Sequence, residues 1–481
     1  MINKKFGKDL FLVILSNGVK LLSSLLTVFI IPLIFNQQDY GFYKLFLLYV
    51  SYVGIFHFGF NDGIYLYYAG KDYEQLDKTR FRTYTKFLTI VQTIIALIVI
   101  SLSFFLSGDR QIILMLVGVN LIVLNLTTYY QFISQVTQRF KEFAIRNIIF
   151  TVLNAALIAL FYFLNLTDYK LFLVFVVLIN IVLLLWYVIS YRDITFGKAN
   201  KFKEERHNIV LMFKLGILLM ASNLVVMFFS SIPRQYVDYR YPVEIYPDIF
   251  SNFSFAYTLM GFTGVFLSAI SLVIYPTLRK ASDIELREKY NDLKSIVIAL
   301  VFLLIIAYYP LAFIVQRWLP NYTNALDIFF VLAPGIAISS SVSVIIHNYY
   351  KSLNKNKEFL IIGILSLLLL IVAIYIINTF INDNVIYIAI TTVVVQFIWY
   401  LATEFYLTKK LKVNPIKNII YIIISAIIFY SIGLINNQLY AFLLYGLSIV
   451  VFTLIFFGRN IKDIINNIKS KKDNAIETNE N

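Results

Sequence analysis

The stretch LSNGVKLLSSLLTVFIIPLIF, residues 15–35, decides the fold class. About 20 apolar residues in a helix cross the roughly 30 Å of hydrocarbon in a bilayer. Apolar segments of this length recur along the 481-residue chain, which is 60% hydrophobic and 17% aromatic. They lack the alternation of apolar and polar positions that the strands of a membrane barrel show. The sequence therefore predicts an all-α integral membrane protein.

Hydropathy predicts about fourteen membrane-spanning helices, divided into two groups of six and a final pair. The predicted spans are 10–35, 42–68, 84–107, 111–136, 147–166, 170–190, 209–232, 249–276, 294–316, 325–349, 358–378, 385–407, 418–436 and 439–457. A charged cytoplasmic linker, 192–208, separates an N-terminal six-helix lobe, 1–191, from a second six-helix lobe, 209–408. Two extra spans occupy 409–458, and 459–481 form a cytoplasmic tail. Two bundles around a central cavity are typical of transporters.

Positive charge is distributed unevenly between the two sides of the predicted membrane. Of the 41 lysines and arginines, five fall on external connections and three within spans, and the others lie on the cytoplasmic side. The eight exceptions are Arg110, Lys170, Arg234, Arg240 and Arg317 outside, and Lys20, Lys44 and Lys214 within spans. This bias predicts a multi-pass plasma-membrane protein with both termini cytoplasmic. The net charge of +14 is then an orientation signal and a contact with membrane lipids, not a nucleic-acid surface.

Lys20 lies near the middle of the first span, where insertion scales assign a charge a cost of about 2.5–3.5 kcal/mol. On a helical wheel one face of this span is polar. The residues that share this face with Lys20 are Ser16, Asn17, Ser23, Ser24 and Thr27. We expect Lys20 to face a polar cavity. The alternative is a lysine that snorkels or pairs within a packed bundle.

Polar stripes recur on other spans. They include His57 and Asn61 on the second, Asn120, Thr127 and Gln131 on the fourth, Ser340, Ser343 and His347 on the tenth, and Thr392, Gln396 and Thr403 on the twelfth. Each stripe alone also fits interhelical hydrogen bonding. Together they predict a central polar cavity. Arg234, at the outer end of the seventh span, is a second candidate cation, or alternatively an interfacial arginine.

The acidic residues indicate the charge of the cargo. Nearly all lie outside the spans, and Asp62 and Glu404 approach the membrane only near its predicted cytoplasmic edge. A lysine among amides and hydroxyls suits an anion that carries sugar-like hydroxyls, whereas exporters of organic cations need buried carboxylates. The candidate substrate-binding residues are Lys20, Asn17, Ser24, Thr27, His57, Asn61, Gln131, Arg234 and Gln396.

Enzyme and cofactor signatures are missing from the sequence. It has no cysteine, no Walker loop, no nucleophile elbow and no clustered metal-ligand motif, and its three histidines are far apart. We therefore expect neither an enzyme nor a cofactor or metal site.

Six segments, taken in order, carry a family resemblance. They are IPLIFNQQDYGFYKLF at 31–46, FGFNDGI at 58–64, FAYTLMGF at 255–262, VIYPTLRK at 273–280, WLPNYTNA at 318–325 and NYYKSLNKNKEF at 348–359. With these segments the chain resembles the polysaccharide (O-antigen type) flippases of the multidrug/oligosaccharidyl-lipid/polysaccharide exporter superfamily. One departure is IPRQY at 232–236, where relatives often have an acidic residue before the arginine and this chain has Pro233.

The resemblance implies a flippase that moves an undecaprenyl-pyrophosphate-linked oligosaccharide from the cytoplasmic to the outer leaflet, by alternating access, in the synthesis of O-antigen, lipopolysaccharide or capsule. It implies a polysaccharide polymerase and glycosyltransferases as partners. Two alternatives stay open. A small-molecule exporter on the same fold should show acids in its cavity, and a membrane polysaccharide polymerase or ligase should show a large external loop.

Overall fold

A computed structural model describes residues 4–261, 278 and 281–458 of the chain, with the backbone alone at 4–15, 17 and 283. The described residues form helices and connecting turns and no strand, as the sequence predicts. The chain divides into two compact units, the first of residues Met1–Val265 and Asn356–Ile388, the second of Phe266–Lys355 and Ala389–Asn481. The six-helix lobes expected from hydropathy stay a prediction.

Where the structure describes it, the first unit contains ten helices that follow one another in the chain and one helix from further along the chain. They are α1 Lys4–Ile34, α2 Gln37–Ser51, α3 Phe60–Tyr68, α4 Lys78–Ser103, α5 Gly108–Val136, α6 Phe140–Phe163, α7 Tyr169–Ser190, α8 Arg192–Thr195, α9 Phe202–Arg240, α10 at 247–261, and α15 Asn356–Ile376. The second unit holds α11 Asp283–Leu304, α12 Tyr308–Trp318, α13 Asn324–Ser340, α14 His347–Ser352, most of α16 Val385–Leu411, α17 Ile416–Gly433 and α18 Gln438–Gly458. Short 3₁₀ or π turns link α2 to α3, α11 to α12 and α13 to α14.

Eleven stretches of described helix are long and apolar enough to cross a membrane, and the bent pair of α2 and α3 would make a twelfth. The first predicted span falls on α1, whose residues Gly18–Ile34 form a shorter apolar helix. The eighth, 249–276, runs into residues outside the described part of the chain. The protein is therefore a multi-pass membrane protein, and the total of fourteen spans stays a prediction.

In the first unit, α1 packs along α6 and α4 along α5, and α9 packs against both α3 and α15. Aromatic side chains fill the core where α3, α4, α5 and α7 meet. The fully buried members of this cluster include Phe60, Phe81, Tyr84, Tyr129 and Tyr187. Aromatic rings bring a large apolar area to such a core, and tyrosine hydroxyls need a partner there. Tyr129, for example, lies 3.1 Å from the Thr85 hydroxyl.

A sharp bend separates α2 from α3, whose axes differ by 61°. Phe58 and Gly59 adopt left-handed conformations, with φ of 50° and 83°, and the side chain of His57 accepts a hydrogen bond from the Gly59 N–H at 3.1 Å. After the bend, α3 lies against α9 with almost no side chain between the two backbones. A Cβ on Gly63 would overlap the Met212 carbonyl oxygen, and one on Gly216 would overlap that of Gly59. Glycine is therefore required at this crossing, as at other close helix contacts in membranes.

In the second unit, α11 packs against α13 and α17, and α13 also packs against α17. Aromatic rings fill the space between these helices and α18. Phe429 of α17 lies 5.5 Å from Tyr308 and 5.6 Å from Tyr445, measured between ring centroids. The Tyr445 hydroxyl donates a hydrogen bond to the Phe302 carbonyl oxygen at 2.7 Å. The last span is therefore an integral part of this unit.

Candidate functional site

Lys20 is exposed on the surface of α1. Its polar neighbours Ser24 and Thr27 are half-buried, and their hydroxyls donate to the carbonyl oxygens of Lys20 and Ser23, one turn earlier. The side chain of Asn17 lies outside the described residues. The hydroxyls on this face therefore reinforce the helix while they keep two acceptor lone pairs each. A substrate role for these residues stays a prediction.

His57 and Asn61 lie on either side of the bend between α2 and α3, and both are buried. Asn61 donates to the Asn125 carbonyl oxygen at 3.0 Å, and Asn125 in turn donates to the side chain of Gln92 at 2.6 Å. His57 lies 3.7 Å from Asp62, measured from Nε2 to Oδ2. Asn61 belongs to a polar network that joins α3, α4 and α5, whereas His57 contacts the start of α3. Their use as substrate contacts stays a prediction.

The two candidate glutamines differ in environment. Gln131 is half-buried on α5, in the first unit. Gln396 on α16 of the second unit is 5% exposed, and its Oε1 would lie 2.9 Å from a Cβ placed on Gly335. This glutamine therefore marks a close approach of α16 to α13. A substrate contact by either glutamine stays a prediction.

Two cations of the first unit, one buried and one half-buried, lie over tyrosine rings. Lys44 on α2 is 5% exposed, and its ammonium group lies 5.0 Å and 5.2 Å from the ring centroids of Tyr40 and Tyr43. Arg234 on α9 is half-buried, and its guanidinium carbon lies 5.3 Å from the ring centroid of Tyr257. Arg234 is a candidate cation predicted from the sequence, whereas the sequence marks Lys44 only as a charge within a predicted span.

An arginine fork joins the start of α5 to the end of α9. Arg110 binds Asp238 through two hydrogen bonds, of 2.8 Å and 2.9 Å, and Glu244 through two more, of 2.7 Å and 3.1 Å. Asp238 is 2% exposed, so its charge is nearly removed from water. Glu244 lies outside the spans. Burial alone would raise its pKa, but the hydrogen bonds and charge of Arg110 hold the pKa below its ordinary value.

The other end of α9 carries a second buried carboxylate. Glu205, 4% exposed, accepts a hydrogen bond from Arg80 of α4 at 3.0 Å. The side chains of Asn200 and Asn208 donate to the same carboxylate at 2.8 Å and 2.6 Å. Within the first unit, α9 is therefore held at one end by an arginine of α4 and at the other by an arginine of α5.

The second unit contains a fully buried ion pair. Lys294 of α11 and Glu404 of α16 are both 0% exposed, and their nearest charged atoms are 2.5 Å apart. The second oxygen of Glu404 accepts a hydrogen bond from the Tyr290 hydroxyl at 2.5 Å. Sequence reasoning missed this pair because Lys294 is the first residue of a predicted span and Glu404 lies near the end of another. Both therefore looked like charges at the membrane edge.

Comparison with solved structures identifies the fold. The chain aligns with a lipid II flippase, MurJ, in an inward closed conformation, with a TM-score of 0.57 and 16% identity over 95% of this chain and 99% of that one. The chain shares its fold with this flippase and with transporters of the MOP superfamily. An outward-facing MATE family transporter of that superfamily aligns with a TM-score of 0.56 and 13% identity over 84% of this chain and 95% of that one. A Vibrio cholerae MATE transporter mutant aligns with a TM-score of 0.55 and 12% identity, over 85% and 99%.

Sequence comparisons give no closer assignment. No protein-family model matches the chain. No curated protein matches it either. At 12–16% identity these structural neighbours establish the fold alone.

Proposed function

We propose that the protein is a flippase that moves an undecaprenyl-pyrophosphate-linked oligosaccharide from the cytoplasmic to the outer leaflet of the plasma membrane. The observation that carries this proposal is Lys20, an exposed cation on the hydroxyl-bearing face of the apolar segment Gly18–Ile34 of α1. The fold, which is shared with a lipid II flippase, supports it. The sugars and the pyrophosphate cannot cross hydrocarbon unaided, since each desolvated hydroxyl or charge costs several kcal/mol. A polar cavity with a cation replaces the lost water and offsets the anion.

Transport would proceed by alternating access between two lobes. The ion pairs at the ends of α9 suggest where this motion is controlled. They join α9, which the sequence assigns to the linker up to residue 208 and to the second lobe beyond it, to α4 and α5 of the first lobe. In this proposal the Arg110 fork breaks when the cavity opens outward, and the pair of Arg80 and Glu205 breaks when it opens to the cytoplasm.

Substitution of Lys20 tests the proposal. In the native host with the chromosomal copy deleted, we expect Lys20→Gln to abolish the surface polysaccharide and to trap lipid-linked repeat units in the inner leaflet. Lys20→Arg keeps the charge and should preserve part of the activity. Lys8→Gln removes a lysine from the predicted cytoplasmic end of the same helix and is the matched control. Normal polymer from Lys20→Gln, at wild-type protein levels in the membrane, would rule the proposal out.

A small-molecule exporter is the second candidate, because MATE transporters share the fold. Deletion of such an exporter would increase sensitivity to organic cations and leave the surface glycan intact. Deletion of a flippase should have the reverse effect. The same deletion strain distinguishes a flippase from a polymerase. Loss of a polymerase leaves single repeat units displayed outside the cell, whereas loss of a flippase keeps them inside.

A further inference from the structure

The environment of Lys44 contains aromatic rings and a second cation. The side chain is 95% removed from solvent. The charge of Arg234 lies close enough to act on the ammonium group, with which it has the same sign. Tyr40, one of the two rings beside the ammonium, lies 6.1 Å from Phe255 of α10, between ring centroids. Arg234 lies over Tyr257, two residues further along that helix. Tyr40, beside Lys44, and the guanidinium group of Arg234 therefore lie against neighbouring positions of α10.

Among the described residues, neither cation has a carboxylate partner. Arg234 donates its Nε–H to the carbonyl oxygen of Ser230, one turn back on its own helix. Asp238, one turn further along α9, would be the natural partner, but Arg110 binds both of its oxygens. Residues 262–277, outside the described part of the chain, include no aspartate or glutamate. The sequence therefore supplies no further acid from this part of the chain.

Two like charges held together in apolar surroundings are unfavourable for the fold. Burial penalises each charged form, and the mutual repulsion adds to that penalty. The aromatic faces beside the two cations compensate only in part. A charged group within a membrane protein that has no structural partner is by default a functional site.

We infer that Lys44 and Arg234 form a binding site for a phosphate-type oxyanion. This inference rests on the proposed flippase function, in which the anion is the pyrophosphate of the cargo. A guanidinium group presents a planar set of donors that matches phosphoryl oxygens, and an ammonium group adds a compact charge. The neighbouring tyrosines supply hydroxyls and apolar faces. The Arg110 fork, one turn from Arg234, keeps Asp238 from neutralising the site.

The position of the site along its helices suggests its place in transport. With a rise of 1.5 Å per residue, Lys44 lies about 10 Å from the start of α2 and Arg234 about 9 Å from the end of α9. Both of these helix ends are predicted to be external. Lys20 lies about 21 Å from the end of α1 on that side. The pair of Lys44 and Arg234 would therefore hold the anion nearer the outer leaflet than Lys20 does.

Thermal unfolding of the purified full chain in a neutral detergent tests the inference, with inorganic pyrophosphate as the probe and chloride at equal ionic strength as the reference. We expect pyrophosphate to raise the unfolding temperature of the wild type. Lys44→Gln and Arg234→Gln should each weaken its apparent affinity at least tenfold, whereas Lys44→Arg should retain most of it. Lys71→Gln removes an exposed lysine that also lies over two tyrosines and is the matched control.

Repetition in nanodiscs distinguishes the source of the oxyanion. If phosphatidylcholine discs preserve the pyrophosphate effect and added phosphatidylglycerol does not compete, the site selects a pyrophosphate. If phosphatidylglycerol competes, the site accepts a lipid phosphodiester as well. Stabilisation that is identical in the wild type, Lys44→Gln and Arg234→Gln overturns the inference, and so does the absence of stabilisation in the wild type. The flippase proposal is judged separately, by the leaflet distribution in Lys20→Gln.

Discussion

Lys44 in the first unit and Lys294 in the second are both buried lysines, and they differ in what they contact. Lys294 has a carboxylate at 2.5 Å, and that carboxylate also binds the Tyr290 hydroxyl. Lys44 has two tyrosine rings and a nearby arginine. In the first arrangement the lysine and the glutamate neutralise each other within the fold. The second leaves positive charge that a ligand can use.

This difference shows how a buried charge can be assigned to structure or to function. A charge with a partner holds two helices in one geometry. The partner offsets the hydration that each charged group loses on burial. A charge without a partner destabilises the protein and is retained only if it is needed for another purpose. Breaking the pair at Lys294 should therefore destabilise the protein, whereas removal of Lys44 should not.

The largest expected effect on stability comes from breaking the buried ion pair of Lys294 and Glu404. Glu404→Gln leaves Lys294 buried without a carboxylate, and we expect a loss of about 3–5 kcal/mol in unfolding free energy. The double substitution Lys294→Met with Glu404→Gln removes both charges and should recover most of that loss. Thermal or denaturant unfolding in detergent micelles measures both. If Glu404→Gln alone unfolds like the wild type, the pair is not structural, and the comparison with Lys44 fails.

The sequence predicts the membrane helices well because hydropathy is a local property. The apolar run at 15–35 and the later spans needed no knowledge of their neighbours. The bend at Phe58 and Gly59 could not be predicted in the same way. It depends on the crossing with α9, where Gly216 allows the backbones to touch. The contacts that fix such a bend join residues that are far apart in the chain, such as Gly59 with Gly216 and Gly63 with Met212.

The candidate site was predictable only in part, for a related reason. A helical wheel identifies the polar face of α1 around Lys20. It cannot show whether a charge on one helix has a partner on another. The charges of Lys44, Arg110 and Lys294 are all visible in the sequence, yet only their neighbours across helix contacts give them different roles. Pairing is a property of tertiary packing.

At Lys44 and Arg234 we expect a smaller effect on the unfolding free energy, and one of the opposite sign. Lys44→Met removes a buried charge and its repulsion from Arg234, so we expect the unfolding free energy to stay equal or to rise by about 1 kcal/mol. A double-mutant cycle of Lys44→Met with Arg234→Met should give a repulsive coupling, whereas the cycle of Lys294 and Glu404 should give an attractive one. Unfolding in the absence of added anions measures both. An attractive coupling between Lys44 and Arg234 would mean that some group bridges them in the free protein.

The Arg110 fork is a third case, a cation at the predicted membrane edge that binds two carboxylates. Here we expect the smallest effect on stability. Because the pKa of Glu244 is lowered from its ordinary 4.5 in the folded protein, its contribution to stability is present above pH 4.5 and is lost as the pH falls through the lowered value. Glu244→Gln should cost no more than about 1 kcal/mol at neutral pH, since Glu244 is partly exposed. The difference in unfolding temperature between wild type and variant should then shrink towards zero below pH 4.5.

Glu288→Gln, in an exposed position on α11, controls for the general effect of acid. If the difference does not change with pH, the Glu244 carboxylate gains nothing from Arg110. The fork would then hold Asp238 alone, and Asp238 would still be unable to neutralise Arg234.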